Sequence, residues 1–379
     1  MAQFAVHPKG MVDFSKGGIV FDPQPNPFLR RANRRTILRG SLGASAIALG
    51  GLSRWDAARA QAGTPTADDP LPSWNEGEIK RNLIDFTQRS IERNTEDYLP
   101  VGRRIATFDV DGTLFTEFPG PAVWAFVLHA TKTRAEIDPA YAAMPVVQAA
   151  LGGAFDDPAE IDFAEFYHLV DMTGAGMPVE RVTESARSFL ETAVHPVTGN
   201  RWVDQTYQPM KELISLLAQS GYTIFCVSGS GVEFLRAFVP ATLGIPIWQI
   251  VGTTTHYAYA GFAGKGEVVE TDVSLTVNTG DNKAITITRH VGERPVIAMG
   301  NSDGDIEMID YARGGGAPDL YYLIHHTDAA REFEYDRDYL WSPLRRGLEP
   351  NKQIPLINMK TDWATVWSMD APATLDINI

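Results

Sequence analysis

Apolar positions along this chain fall into two kinds of pattern. Short β-type runs at Arg104–Phe108, Tyr222–Val227 and Pro295–Met299 are each followed by a Gly-rich turn, and predict buried strands. Longer stretches carry apolar residues at three-four spacing. The first, Glu76 to Arg93, predicts a helix behind a linker at 63–75 rich in Pro, Thr and Asp. From about Pro119 to Tyr207 the helical pattern is broken by Gly-Gly, Asp-Pro and Gly-Met-Pro. Within it Phe163, Phe166, Tyr167 and Val170 read as core between helices. A further excursion from Val251 to Asp281 alternates Thr, Tyr, Val and Gly, which predicts one or two β-hairpins. Buried strands alternating with helices give an α/β fold: a parallel sheet core with an inserted helical cap. Ligands of such sheets bind beyond the carboxyl ends of the strands. The polar clusters Asp109–Thr113, Ser228–Gly231 and Asn301–Asp305 all fall at those ends.

Length and charge divide the picture further. The 379 residues allow two domains, or one with an insertion. Residues 1–62 hold nine Lys/Arg against three Asp/Glu, whereas the remainder hold 24 against 44. A body that acidic repels phosphate backbones, which argues against nucleic acid as a partner while leaving room for a local pocket for one small anion. Cys226, the single cysteine, excludes an intrachain disulfide and a cysteine-rich metal site, and its apolar strand makes it buried and inert. The scattered histidines, His129, His168, His195 and His256, read as surface or satisfied groups rather than ligands, and the His325-His326 pair is too close for both to face one site from a strand.

The basic segment has the order of an address. Asn33-Arg34-Arg35-Thr36-Ile37-Leu38-Arg39 precedes an apolar run, Gly40–Leu52, and then Ala58-Arg59-Ala60-Gln61-Ala62 with two overlapping A-x-A sites. This predicts a twin-arginine export signal, the export machinery as partner of the precursor, and a periplasmic or otherwise exported protein. The run is too short and too rich in Gly and Ala for a stable membrane span. Boundaries follow: 1–62 signal region, 63–118 and 208–379 catalytic core, 119–207 cap.

The chemistry lies in the clusters. Asp109 and Asp111 stand two apart as a strand ends, so one can attack while the other moves protons. Phosphoryl transfer needs little beyond in-line positioning and neutralised oxygens, so a carboxylate nucleophile, a cation and a proton shuttle suffice. Ser228 precedes a helix start where free N–H groups bind anionic oxygens, and Gly229 permits close approach. Thr113 and Gly229 are accordingly expected beside the substrate. Lys283, eighteen residues before Asn301, supplies positive charge, and the Gly300–Asp305 loop adds oxygens for a hard divalent ion. Glu117, with Phe115 and Trp124, lies where the cap begins. An acid with aromatic faces would bind a leaving group carrying an amine or quaternary ammonium.

With these motifs in order, the sequence resembles the haloacid dehalogenase superfamily of phosphatases. FDVDGTL, QPMKELI, VSGSGVEFLR and GNSDGDIEM are similar to the exported phosphoserine phosphatase-like branch, which includes relatives of phosphorylcholine phosphatase. The resemblance covers the whole mature chain and implies a Rossmann-like core and magnesium-dependent hydrolysis of small organic phosphomonoesters. It implies that Asp109 forms the aspartyl-phosphate and that Asp111 protonates the leaving alcohol and then activates water. Ser228 and Lys283 would hold the phosphoryl oxygens. Mg2+ would be held by Asp109, Asp111 through its backbone carbonyl, and the last loop, here Asn301 and Asp305. Asn301 departs from the family, which places an acid directly after Gly300. That departure keeps a second reading open, a degenerate member that binds a phosphorylated ligand without catalysis. A third, carbon–halogen hydrolysis, needs neither Asp111 nor a metal loop.

Overall fold

Ile105–Phe108 forms β1, and all four of its residues are buried. The side chains alternate between two cores. Ala106 and Phe108 face one that includes Leu83, Phe86, Met210 and Leu213, whereas Ile105 faces another that includes Ile287, Ile306 and Ile309. A strand covered on both faces has no polar side to show, which is why the run reads as continuously apolar. The neighbouring strand repeats the division, with Ile224 and Cys226 on the first face and Phe225 and Val227 on the second.

The computed structural model describes residues 69–157, 160–262, 265–335, 337–349 and 353–367, within one unit, Gln61–Ile379. The export segment and the cleavage sites expected at 58–62 lie outside the described residues. In chain order the elements are α1 (Glu78–Ile91), β1, then α2 (Ala122–Ile137), α3 (Pro139–Ala142), α4 (Pro145–Leu151), α5 (Phe163–Gly174) and α6 (Val179–Thr192). There follow α7 (Gln208–Gln219), β2 (Thr223–Gly231), α8 (Val232–Leu243), β3 (Ile250–Phe262), β4 (Lys265–Thr276), α9 (Asp281–His290) and β5 (Ile297–Gly300). The chain continues through α10 (Ile306–Arg313), β6 (Leu320–Thr327), β7 (Glu334–Tyr335), β8 (Leu356–Asn358) and α11 (Met359–Asp362).

The sheet order is β4-β3-β2-β1-β5-β6-β7, with β8 also beside β6. Strands β3, β2, β1, β5, β6 and β8 are parallel, and β4 and β7 run antiparallel to their neighbours. This is the α/β Rossmann-like architecture, and it brings the ends of β1, β2 and β5 side by side. β2 runs further than its apolar run suggests, to Gly231, so Ser228–Ser230 belong to the strand end rather than to a turn. The excursion after α8 is one hairpin of β3 and β4. No helix among the described residues is long and apolar enough to cross a membrane.

The helices between β1 and β2 rest on the core through α6, whose Val182, Ala186, Phe189 and Leu190 make one apolar stripe towards α8. They are also tied to the hairpin by main-chain bonds. Gly176 N–H donates to Glu270 O at 2.8 Å, and Glu270 N–H donates to Met177 O at 3.0 Å. A Cβ on Gly174 would lie 1.7 Å from Glu270 Oε2, so only glycine lets the carboxyl lie against α5. Burial, then Glu233 and Asp171, push the Glu270 carboxyl up to about 7. The folded protein therefore keeps a proton that the unfolded chain releases near an ordinary pKa of about 4.3. The stabilisation this gives is complete below that value and is lost as pH rises through about 7. Glu270→Gln is expected to unfold at higher denaturant concentration than the parent at pH 8 and to show no such gain at pH 4.

Candidate active site

Asp109 follows β1 directly, and its backbone N–H donates to Met299 O of β5 at 2.9 Å, which fixes where its side chain leaves the sheet. Lys283, in the first turn of α9, reaches across from the opposite side. Its Nζ donates to Asp109 Oδ1 at 2.6 Å and to Asp305 Oδ1 at 2.5 Å, and all three groups are buried. Burial works against the charged ammonium, but Asp109 and Asp305 outweigh it and hold Lys283 above its usual range. For Asp109 burial also dominates. Lys283 opposes it, Asp305 and Asp111 add to it, and the carboxyl is raised above its usual range, with the Lys283 ammonium the one contact that favours the ionised form.

Asp111 is turned towards β2. Its Oδ2 accepts from Ser230 Oγ at 2.7 Å and from Ser228 Oγ at 3.3 Å, while its buried Oδ1 has no hydrogen-bond partner. Burial raises its carboxyl, and the two serines pull the other way. The strand end itself is braced by Asn278, whose Nδ2 donates to Ser228 O at 3.2 Å, and by Thr253, whose hydroxyl donates to Gly229 O at 2.6 Å. Helix α8 starts immediately beyond, at Val232. The expected Ser228 and Gly229 therefore stand at the strand–helix junction beside Asp111. Ser230 was not singled out by the sequence, although its place in Val227-Ser-Gly-Ser-Gly231 is the local signal that it shares the strand end with Ser228.

Asn301 closes the third side. Its Oδ1 accepts from Thr113 Oγ1 at 3.2 Å, and its Nδ2 donates to Glu117 Oε1 at 2.7 Å. Glu117 is fully buried, its Oε2 accepting from Ser342 Oγ at 2.5 Å and its backbone carbonyl from Tyr339 OH at 2.8 Å. Burial holds its carboxyl well above the usual range. The approach of these groups requires Gly112, which has φ +70° and whose Cβ, if present, would lie 2.0 Å from Asn301 Nδ2. Thr113 is thus joined to Asn301, and Glu117 faces Asn301 and Ser342 with its oxygens already engaged. Phe115, expected near a leaving group, sits in the core against Phe238 at 4.8 Å, while Trp124 pairs with Trp341 at 6.0 Å.

A hard divalent ion suits this chemistry, since the groups are all oxygen donors apart from Lys283 and the buried Oδ1 of Asp111 is unpartnered. Among the described residues no group of three or more His, Cys, Asp or Glu could hold a metal. An ion would therefore draw on Asp109, the Asp111 residue and the Asn301 amide. Asp305, expected among the ligands, is turned elsewhere. Its Oδ1 takes Lys283, and its Oδ2 accepts from the backbone N–H groups of Asn301 and Ser302, each at 3.0 Å, and from Ser302 Oγ at 3.1 Å. It orients the lysine and the loop, which is the work its position at the start of α10 favours.

Beneath the Asp109–Thr116 segment lies a polar network that no local spacing announced. His326 Nε2 donates to Gly112 O at 2.8 Å, and its Nδ1 lies 3.1 Å from Glu332 Oε2. Glu332 Oε1 accepts from Tyr207 OH at 2.7 Å and from Thr116 Oγ1 at 3.2 Å. The histidine is a satisfied core group, stacked on Tyr335 at 4.2 Å. His195 is likewise satisfied, with Nε2 donating to Phe118 O at 2.6 Å.

With this geometry in hand, the family model for haloacid dehalogenase-like hydrolases matches residues 106–310, more than half of the chain. Comparison with curated proteins gives no match. Among solved structures the chain is similar to a conserved protein of unknown function from Anaerococcus prevotii, at 14% identity and TM-score 0.47, over 68% of this chain and 88% of that one. It is also similar to a protein of unknown function from Bordetella pertussis, at 13% identity and TM-score 0.44, over 68% and 99%. A phosphoserine phosphohydrolase-like protein from Francisella tularensis is 15% identical with TM-score 0.33, over 59% and 88%. At such values the family assignment rests on the family model alone.

Lys283 is the side chain whose loss this arrangement tolerates least. Lys283→Met leaves two buried carboxylates without their cation and is expected to lower stability by about 3–5 kcal/mol, read from denaturant unfolding at pH 7.

Proposed function

We infer that this chain, which belongs to the haloacid dehalogenase-like hydrolase family, is a phosphatase that hydrolyses small organic phosphomonoesters through a covalent intermediate on Asp109. The observation that carries this reading is the pairing of Lys283 Nζ with Asp109 Oδ1 at 2.6 Å, beside an Asp111 held by two serine hydroxyls. One carboxylate is thereby fixed for attack, and the other is kept apart for proton transfer.

In the first half-reaction an Asp109 carboxylate oxygen attacks phosphorus, and the bond from phosphorus to the ester oxygen breaks. Asp111 gives its proton to the departing alkoxide, so the alcohol leaves neutral. The raised carboxyl of Asp111 suits that step, because burial keeps the proton on until it is needed. In the second half-reaction Asp111, now ionised, takes a proton from water as the oxygen attacks phosphorus. The bond to Asp109 breaks, and inorganic phosphate leaves. Lys283 and the Ser228 hydroxyl bind the equatorial oxygens, and the N–H groups at the start of α8 add a fixed positive field. Asp109, Asp111 and Asn301 would hold Mg2+, which when bound offsets carboxylate charge around the incoming phosphoryl group. The helices of 119–207 form, in this reading, the cap that closes over the leaving group.

Two parts of the proposal reach beyond the site. The substrates are monoesters of small alcohols such as phosphoserine and phosphorylcholine, as the motif resemblance implies. The arginine pair at 34–35 supports export by the twin-arginine route to the periplasm, and replacing both arginines with lysine is expected to retain the protein in the cytoplasm. The uncharged amide at 301 favours a second reading, binding of a phosphorylated ligand without turnover.

Phosphate release by the purified protein from phosphoserine, phosphorylcholine and sugar phosphates, with Mg2+ and with chelator, separates the two readings. Metal-dependent turnover is expected. Asp109→Asn is expected to abolish it, and Asp111→Asn to lower it by about 10²–10⁴-fold. Full activity in Asp109→Asn overturns the covalent route, and ligand binding with no phosphate release favours the second reading.

A further inference from the structure

Ser228 and Ser230 both donate to one oxygen of Asp111. Ser230 Oγ lies 2.7 Å from Asp111 Oδ2 and Ser228 Oγ 3.3 Å from it, while the buried Oδ1 has no hydrogen-bond partner. Ser228 has a second contact, because its oxygen accepts from the backbone N–H of Ser230 at 3.1 Å. A serine hydroxyl carries one proton and gives it in one direction at a time. In the reading above that proton goes to the phosphoryl group, whose charged oxygens only accept. Ser228 therefore cannot hold Asp111 and bind the phosphoryl group at once, and its bond to Asp111 is the longer of the two. Ser230 is under no such demand. Its hydroxyl is committed to Asp111, and the strand end that carries it is braced by Asn278 on Ser228 O and by Thr253 on Gly229 O.

We propose that Ser230 is a positioning residue for proton transfer: it keeps hold of Asp111 Oδ2 when Ser228 turns to the phosphoryl group, and so leaves Oδ1 as the oxygen that carries the proton. The inference rests on the phosphatase reading above and adds to it which of the two oxygens acts. In the first half-reaction the bond from Oδ1 to its hydrogen breaks as that hydrogen bonds to the ester oxygen. The bond from phosphorus to the ester oxygen breaks in the same step, and its electron pair stays with the departing alcohol. Asp111 is left with a charge that both of its oxygens share, so the hydrogen bond from Ser230 to Oδ2 strengthens during the step. An interaction that is stronger in the transition state than before it accelerates the reaction. In the second half-reaction water returns a proton to Oδ1 while Oδ2 is still held. Ser230 acts through Asp111, so its effect is confined to the steps in which Asp111 moves a proton.

The test is kcat/KM of the purified full-length protein, with Mg2+, for two esters of similar shape, phenyl phosphate and p-nitrophenyl phosphate. Phenolate is a poor leaving group that depends on a proton donor, whereas p-nitrophenolate departs as a stable anion. Ser230→Ala is expected to lower kcat/KM for phenyl phosphate about tenfold more than for p-nitrophenyl phosphate. Ser228→Ala removes a contact to the phosphoryl group that both esters share, and is expected to lower the two values in equal proportion. Ser230→Thr keeps the hydroxyl and is expected to restore the parent ratio. Ser230→Cys, with nearly the volume of serine and only a weak donor, is expected to resemble Ser230→Ala, so that one unstable variant does not decide the outcome. Equal losses for the two esters in Ser230→Ala and Ser230→Cys, or parent values in either, overturn the proposal and leave the hydrolase reading standing. A parent that releases phosphate from no monoester overturns the hydrolase reading, and the proposal with it.

Discussion

The ammonium of Lys283 is the interaction on which the site depends. Asp109 and Asp305 arrive from β1 and from the start of α10, and without a cation between them two buried acidic groups would face each other uncompensated. One lysine in the first turn of α9 meets both, so three elements that are distant in the chain converge on a single nitrogen. The convergence fixes the arrangement around it. With Asp305 turned to Lys283, its second oxygen gathers the backbone N–H groups of Asn301 and Ser302, which sets the loop, which in turn aims the Asn301 side chain at Thr113 and Glu117.

The same economy of contacts operates below the loop. A turn proposed to carry two reacting carboxylates cannot be left to thermal motion, because in that reading their positions relative to a phosphoryl group decide the rate. His326 holds Gly112 O, Thr116 is held by Glu332, and Glu332 is held by Tyr207. Aromatic rings fill the space around this network, with Phe118 against Phe333 at 4.5 Å and Tyr335 against Tyr339 at 4.4 Å. The polar groups give direction and the rings exclude water, so the hydrogen bonds below the turn operate in a low-dielectric environment.

What the sequence made legible follows the range of the interactions. The strands at Ile105–Phe108 and Ile297–Gly300 were readable because continuous apolar runs are local signals, and Asp109 and Asn301 were readable because each directly follows such a run, with Asp111 two residues beyond Asp109. Ser230 carried a signal too, but one overshadowed by Ser228 two residues earlier. The extension of β2 to Gly231 was hidden because Gly and Ser have little strand propensity of their own, and tertiary pairing overrides it. His326, Glu332, Tyr339 and Ser342 had no signal of any kind. They meet the site across long separations, and nothing in the spacing of residues beyond the last motif says that the chain returns. Phe115 and Glu117 show the opposite difficulty. Their local setting suggested a ligand-facing wall, whereas the fold turns the ring into the core and commits the carboxylate to Asn301.

The return of the chain over Glu117 bears on how this protein comes into being. Tyr339 and Ser342 reach a residue 222 and 225 positions earlier, so during synthesis β1 and the following helices leave the ribosome long before the hydroxyls that hold Glu117 exist. A nascent chain can form much of its helical structure and still have Glu117 open to water, its carboxylate an ordinary acid. Contacts of such long sequence separation form late, after many loops have been closed. The surroundings of Glu117 are therefore completed only after the segment that carries Tyr339 and Ser342 has been made.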